Sequence, residues 1–215
     1  MTPIDELRTF MTSALASDAM DALALPNRCL GASVTPLHEG TLMIGRCYTV
    51  SCVAVDARPE VPYVGLLRAL DGLGKDDVYA ISSAGNLEVA LWGELLTNAA
   101  LQKAAAGVLA DGPVRDARRV RELGLPVFSR GTVPYDINGR LEITGTGEPL
   151  VMHGLTLRRG DLVIGDDDGI AIVPIEVEQQ VIALVREKVE GENLFREAVR
   201  SGMPPSEAFA RFGVL

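Results

Sequence analysis

Residues 107–116 read GVLADGPVRD and carry the clearest fold signal in the chain. Segment 107–110 is short and apolar, as expected for a buried strand, and it runs into a cluster of charged side chains. A helix at 116–123, ending at Gly124, and a strand at 126–129 are predicted to follow. Strands and helices in such alternation predict a partly parallel, covered sheet, and open α/β sheets bind ligands at the carboxyl ends of their strands.

Upstream of this segment, hydrophobic periodicity predicts further helices and strands in alternation. In chain order they are a helix at 4–25, a strand at 42–55, a helix at 63–70, a strand at 77–82 and a helix that starts near Gly93. Gly45 is interpreted as a bulge within its strand.

Beyond Arg130, short strands separated by glycine-rich turns predict an antiparallel half. These strands are predicted at 141–144, 151–157, 162–164 and 170–173, and a long amphipathic helix at 175–200 follows them. The sequence shows no internal repeat or linker. It therefore predicts one α/β domain over residues 1–215, with a mixed sheet and a long C-terminal helix.

Composition excludes several classes of partner. The 215 residues include 20 lysines and arginines against 29 aspartates and glutamates, and this formal charge of −9 argues against nucleic acid or an anionic membrane surface as the main partner. The three cysteines, Cys29, Cys47 and Cys52, have no metal-knuckle or disulfide spacing. No signal peptide and no apolar run of ~18 residues is present, so we expect a reduced cytoplasmic location.

Two interpretations of the Arg115-Asp116 pair are open from the sequence. In the first, Arg115 forks onto a ligand carboxylate and Asp116 holds a hard divalent cation through oxygen. In the second, Arg115 pairs with Asp111 across a turn and Asp116 is the N-cap of the next helix.

The helix that starts near Gly93 offers a second polar group. Free amides at a helix start can bind a small anion, although Glu94 can equally be an ordinary first-turn acid. The two histidines, His38 and His153, are interpreted as structural or surface groups. Phosphate-loop and dinucleotide-binding glycine motifs are missing, which argues against nucleotide-dependent chemistry.

These motifs resemble the RraA-like family. The pattern is Glu94, twenty intervening residues and Arg115-Asp116, set in WGELLTNAA and GVLADGPVRDARRVRELGLPVFSRGTVP. The likeness extends from about residue 16 to residue 174. The family includes class II 4-hydroxy-4-methyl-2-oxoglutarate aldolases and the RNase E regulator RraA. The resemblance implies a swivelling β/β/α-type fold and homotrimers or homohexamers.

Residue roles are implied by the same resemblance. Asp116 would be the direct ligand of Mg²⁺ or Mn²⁺, and Arg115 would contact the pyruvoyl group of a 2-oxo acid. Glu94 would also reach metal-bound water. The substrate loop would consist of Gly93, Glu94, Leu95 and Leu96.

The function expected from these roles is metal-dependent cleavage or decarboxylation of a small 2-oxo acid to pyruvate, through an enolate that Arg115 stabilises. Neither motif contains the lysine that a Schiff-base aldolase needs. The alternative is a non-catalytic regulator of the RraA type, whose negative charge would suit a basic segment of an RNA-processing enzyme such as RNase E.

Overall fold

The computed structural model describes residues 2–214. Its helices are α1 (Ile4–Leu7), α2 (Ser13–Ala22), α3 (Val64–Asp71), α4 (Glu94–Gln102), α5 (Ala117–Leu123), α6 (Glu178–Arg200) and α7 (Pro205–Phe212). Its strands are β1 (Cys29–Leu30), β2 (Thr35–Pro36), β3 (Met43–Ala54), β4 (Asp77–Ser82), β5 (Gly107–Asp111), β6 (Val127–Ser129), β7 (Leu141–Thr146), β8 (Leu150–Met152), β9 (Leu155–Leu157), β10 (Leu162–Asp166) and β11 (Gly169–Val173).

Nine of the strands form one mixed sheet, in the order β1-β11-β10-β3-β4-β5-β6-β2, with β7 paired to β3. Strands β3, β4, β5 and β6 run parallel, and the strands on either side of this block are antiparallel to it. The α/β class, the mixed sheet and the long C-terminal helix are thereby confirmed. One domain over residues 1–215 stays a prediction.

The central strands are apolar because both faces of the sheet are covered. In β4, Val78 and Ala80 pack in one hydrophobic cluster, whereas Tyr79 and Ile81 pack in another on the opposite face. The second cluster also includes Leu66 of α3. The parallel strands are therefore held rigidly, and their carboxyl ends form a fixed edge.

The predicted helix at 4–25 is in fact two helices. Thr12 is the N-cap of α2, and its side chain accepts a hydrogen bond from the backbone N of Leu15 at 3.2 Å. Ser13 donates from its backbone N to Asp166 at 2.7 Å. The break follows from this contact with a residue far along the chain, which periodicity alone does not reveal.

Gly45 does not form the predicted bulge. The register of β3 shifts between Ser51 and Cys52 instead. At Gly45 a β-carbon would lie 2.5 Å from the carbonyl oxygen of Asp76 and 2.5 Å from Cβ of Ala106. Glycine is required there for close packing rather than for a change in register.

The predicted strand at 151–157 is a hairpin. Strands β8 and β9 pair with each other, and His153 and Gly154 between them have φ angles of 47° and 81°. The C-terminal region also differs, since α6 begins at Glu178 rather than 175 and α7 forms where only a tail was expected. No helix within residues 2–214 is long and apolar enough to cross a membrane.

The cysteines are free thiols in different surroundings. Cys29 is exposed, Cys52 is half-buried and Cys47 is buried. Burial raises the pKa of the Cys47 thiol to about 12 and that of the Cys52 thiol to about 11. Both groups are therefore neutral, weakly reactive thiols at physiological pH.

We expect Glu178→Ala to lower the free energy of unfolding by about 3–5 kcal/mol. The Glu178 side chain is 2% exposed and accepts two hydrogen bonds from the guanidinium of Arg46 on β3, one of them at 2.7 Å. Removing it leaves a mostly buried, unpaired arginine. Urea denaturation measures the loss, with Glu187→Ala on the exposed side of the same helix as the control. A loss below about 1 kcal/mol would contradict this role for the ion pair.

Candidate functional site

The loops that follow β4 and β5 meet at the carboxyl edge of the sheet. The backbone N of Arg115 donates to the carbonyl oxygen of Trp92 at 2.9 Å, and the backbone N of Leu91 donates to that of Pro113 at 2.8 Å. These two hydrogen bonds hold the start of α4 against the start of α5. As a result, Gly93 lies beside the Arg115-Asp116 pair.

Gly93 is needed for space. Its backbone is extended, which any residue can adopt, and it is the N-cap of α4 as predicted. A β-carbon on Gly93 would lie 3.0 Å from Oδ2 of Asp116 and 3.1 Å from Cγ of Arg115. A side chain at this position would therefore push against both charged residues.

Asp116 occupies the N-cap position of α5 but does not cap the helix with its side chain. Its φ of 53° is left-handed, a conformation that aspartate tolerates better than most residues. Its Oδ2 lies 3.4 Å from the backbone N of Glu94 and 3.8 Å from Nε of Arg115. Both distances are longer than a normal charge-assisted hydrogen bond, so the carboxylate oxygens can still bind another partner.

Arg115 does not pair with Asp111, so that part of the second interpretation is wrong. Its guanidinium lies 3.8 Å from Asp116 and 4.0 Å from Oδ1 of Asp136. Asp111 is buried and instead accepts hydrogen bonds from Ser82 at 2.8 Å and from Arg130 at 3.4 Å.

The histidines lie away from the Arg115-Asp116 pair. His153 contacts Asp111 through Nε2 at 3.1 Å, on the hairpin between β8 and β9. His38 is exposed. Neither ring lines the cavity described next, and the interpretation of both as structural or surface groups stays a prediction.

A cavity of about 320 Å³ opens where these loops meet. The residues that line this cavity include all six that were predicted for the site from the sequence, namely Gly93, Glu94, Leu95, Leu96, Arg115 and Asp116. The structure thus brings the two motifs together. What each residue does there stays a proposal.

Glu94 is held along its own helix. Its Oε1 accepts a hydrogen bond from Nδ2 of Asn98 at 2.6 Å, and the same amide group donates to the Glu94 carbonyl oxygen at 3.0 Å. The Glu94 side chain therefore has a fixed direction at the cavity wall. Its backbone N faces Asp116, so a ligand anion would have to share this amide with the Asp116 carboxylate.

Tyr63 and Asp136 also line the cavity, although the sequence motifs did not indicate either residue. The Tyr63 hydroxyl donates a hydrogen bond to Oδ2 of Asp136, and this bond is the main reason that the pKa of Tyr63 is raised. Tyr63 has a left-handed φ of 64° at the start of α3. Asp136 lies in the segment after β6. Because ligands bind at the carboxyl ends of parallel strands, this position could have been predicted. No comparable signal identifies Tyr63.

Trp92 forms a rigid part of the cavity wall. It is 1% exposed, and its Nε1 donates to Oγ1 of Thr97 at 2.8 Å. Thr97 in turn donates to the carbonyl oxygen of Gly93 at 2.9 Å. The Trp92 ring also packs on Tyr79 of β4, with the ring centroids 4.9 Å apart. The loop before α4 is therefore anchored to the sheet.

The carboxylate oxygens available at this site suit Mg²⁺ better than a metal that prefers nitrogen or sulfur ligands. No group of three or more His, Cys, Asp or Glu side chains with metal-binding geometry occurs within residues 2–214. Mg²⁺, however, commonly binds through one or two carboxylates and keeps several waters. The half-exposed carboxylate of Asp116, which lines the cavity, fits that requirement.

The family of the protein follows from comparison with known proteins. Residues 13–172 match the family model RraA-like, described as Aldolase/RraA. This match spans most of the chain, and the chain belongs to the RraA-like family.

Individual relatives agree with this assignment. Over 206 residues the chain is 27% identical to a putative 4-hydroxy-4-methyl-2-oxoglutarate aldolase from Halalkalibacterium halodurans, covering 96% of the chain and 92% of that protein. It is 29% identical to protein DlpA of Legionella pneumophila over 91% of the chain but spans only 31% of DlpA's length.

A solved structure shows the same fold. Streptomyces coelicolor RraAS2, described as an unusual member of the RNase ES inhibitor RraA protein family, has a TM-score of 0.79 at 27% identity. The alignment covers 90% of this chain and 94% of that one. The RraA-type fold implied by the sequence resemblance is thereby confirmed.

Proposed function

We propose that this protein is a divalent-metal-dependent lyase that converts 2-oxo acids to pyruvate through an enolate. The substrates would be 4-hydroxy-4-methyl-2-oxoglutarate or a related 4-hydroxy-2-oxo acid, together with oxaloacetate. The observation that carries the proposal is the Arg115-Asp116 pair on the cavity wall, in contact with the start of α4. The similarity to a putative aldolase supports it.

Two residues would bind the reacting end of the substrate. Asp116 would hold Mg²⁺ or Mn²⁺, which when bound supplies a Lewis acid for the keto group. Arg115 would donate to the oxygen that becomes the enolate, since its guanidinium has only long contacts to Asp116 and Asp136. The amides at the start of α4 would contribute to binding the carboxylate.

The retro-aldol step breaks the C3–C4 bond of a 4-hydroxy-2-oxo acid. The 4-hydroxyl loses its proton, C4 becomes the carbonyl of the departing fragment, and the bond's electron pair forms the enolate. Glu94 would orient the water that accepts this proton, because Asn98 fixes the Glu94 carboxylate at the cavity wall. The enolate then takes a proton at C3 to give pyruvate. With oxaloacetate, the same bond breaks and CO₂ departs.

The described cavity lining offers no residue for a Schiff-base mechanism. That chemistry needs a desolvated lysine at the substrate carbonyl. Among the described residues that line the cavity, none is a lysine. This favours the metal-dependent class of aldolase.

The assembly and location are part of the proposal. We propose a homotrimer or homohexamer in the cytoplasm, acting on a small 2-oxo acid, with no nucleic acid or membrane as partner. The formal charge of −9 supports the last point.

Pyruvate release tests the proposal. We expect release from oxaloacetate and from 4-hydroxy-4-methyl-2-oxoglutarate with Mg²⁺, and loss of that release when EDTA is added. The control is the same metal without protein, because divalent metals decarboxylate oxaloacetate by themselves. Release no faster than this background from either acid would contradict the proposal.

That negative result would favour the second candidate, a regulator without catalysis. The observation behind this candidate is the 27% identity and common fold with RraAS2. The acidic surface would bind a basic segment of an RNA-processing enzyme such as RNase E, and such a complex would weaken with salt.

A further inference from the structure

The cavity has a polar end and an apolar end. At the polar end, Arg115 lies between Asp116 and Asp136, and Tyr63 donates to Asp136. One hydrogen bond and two longer ion-pair distances of 3.8 Å and 4.0 Å connect these four residues, so they mark where the pyruvoyl group would bind.

Leucine and alanine side chains from two helices form the apolar end. Leu66 and Leu70 lie one turn apart on α3, and Leu96 and Ala99 lie three residues apart on α4. Each pair therefore lies on one face of its helix, and the four residues line the same cavity. Leu66 and Leu70 are each only 6% exposed, whereas Leu67 and Leu95, which line the same cavity, are 56% and 75% exposed, so this end is only partly shielded from water.

The apolar end is long enough for a substituent of several carbons. Ala99 lies five residues beyond Glu94, which corresponds to about 8 Å along the axis of α4. A cavity of about 320 Å³ is also much larger than a pyruvoyl group alone requires.

Charge argues against a second carboxylate in this part of the cavity. Arg115 is the one cationic side chain among the described lining residues, and it lies at the polar end. Three lining residues, Glu94, Asp116 and Asp136, are acids. A distal carboxylate would therefore lie unpaired against leucines or near like charges, and both arrangements are unfavourable.

We propose that the preferred substrate is a 4-hydroxy-2-oxo acid whose C4 substituent is an apolar chain of about four to six carbons. This deepens the proposed function, on which it rests, because it ranks such an acid above the two dicarboxylic substrates, oxaloacetate and 4-hydroxy-4-methyl-2-oxoglutarate. Breaking the C3–C4 bond gives pyruvate and an apolar aldehyde or ketone. The proton lost from the 4-hydroxyl is balanced by the proton gained at C3.

The single tryptophan provides a binding assay that does not depend on turnover. Trp92 lines the cavity, so its fluorescence should respond to a bound ligand. The probes are straight-chain 2-oxo acids from 2-oxobutanoate to 2-oxooctanoate, which lack the 4-hydroxyl and are not cleaved. With Mg²⁺ present, we expect Kd to fall roughly fourfold for each added CH₂. 2-Oxoglutarate should bind at least ~10-fold more weakly than 2-oxohexanoate, which has an ethyl group in place of the distal carboxylate.

Two variants test whether the dependence of Kd on chain length arises in the cavity. Ala99→Leu fills the apolar end, so the ratio of affinities for 2-oxooctanoate over 2-oxobutanoate should fall at least ~10-fold. Gln102→Leu adds the same side chain on the exposed part of α4, outside the cavity, and should leave the ratio unchanged.

The outcomes separate this inference from the proposed function. Metal-dependent turnover of oxaloacetate with no dependence of Kd on chain length would overturn the inference alone, as expected if another copy of the chain fills the apolar end. Chain-length-dependent binding without any pyruvate release would support the ligand class and contradict the catalytic proposal. A protein that neither binds the probes nor releases pyruvate would overturn both.

Discussion

Arg115→Ala is expected to lower kcat for pyruvate release by about 10³-fold, or about 4 kcal/mol of transition-state stabilisation. The reason is that negative charge develops on the enolate oxygen, and Arg115 is the one cationic side chain among the described residues that line the cavity. Steady-state kinetics with oxaloacetate and with a 4-hydroxy-2-oxo acid would measure the change.

Folding should be almost unaffected by that substitution. The Arg115 side chain is 38% exposed, and its contacts to Asp116 and Asp136 are 3.8 Å and 4.0 Å long, so the loss of stability should be below about 1 kcal/mol. Arg118→Ala is the matched control, since Arg118 is exposed and pairs with Glu122 outside the cavity. A folded Arg115→Ala variant with near-normal turnover would reject the role.

Asp116→Asn should reduce metal-dependent pyruvate release by at least ~10³-fold, towards that of the metal alone. Asparagine accepts the left-handed φ of 53° as readily as aspartate and has nearly the same size. The backbone at the start of α5 should therefore be preserved, and the main change is the loss of the carboxylate charge. Alanine would add backbone strain to the loss of the ligand, so asparagine gives the cleaner test.

Calorimetric titration with Mg²⁺ separates binding from chemistry. We expect the variant's affinity for Mg²⁺ to fall at least ~10-fold, in line with the loss of an anionic oxygen ligand. Asp21→Asn, on the exposed face of α2, is the control for a general effect of charge. Mg²⁺ affinity equal to that of the original protein would show that Asp116 is not the ligand.

The sequence predicted elements well where one segment carries its own signal. Strand 77–82 is found as predicted because residues 78–81 form a continuous buried apolar run. The helix at 116–123 ends at Gly124 as predicted, and this residue adopts a left-handed φ of 76° that glycine permits. The rule about the carboxyl ends of strands likewise indicated that the charged residues after strand 107–110, Arg115 among them, would lie at a ligand-binding edge of the sheet.

Features that depend on distant contacts were not predictable in this way. The break between α1 and α2 involves hydrogen bonds from Ser13 to Asp166, and these residues are 153 positions apart. Tyr63 reaches the site only because α3 packs where it does, and its partner Asp136 is 73 positions away. Periodicity reports the exposed and buried faces of one element but not which other element covers them.

Strand β3 has a consequence for synthesis on the ribosome. Its pairing partner β10 begins 108 residues after β3 ends, so the part of β3 that pairs with β10, Met43–Arg46, stays unpaired along that edge while this length of chain is made. At translation rates of 5–20 residues per second, this interval lasts roughly 5–22 s. An unpaired strand edge can associate with another nascent chain. Slow decoding between residues 54 and 162 would therefore lower the yield of folded protein without changing a single amino acid.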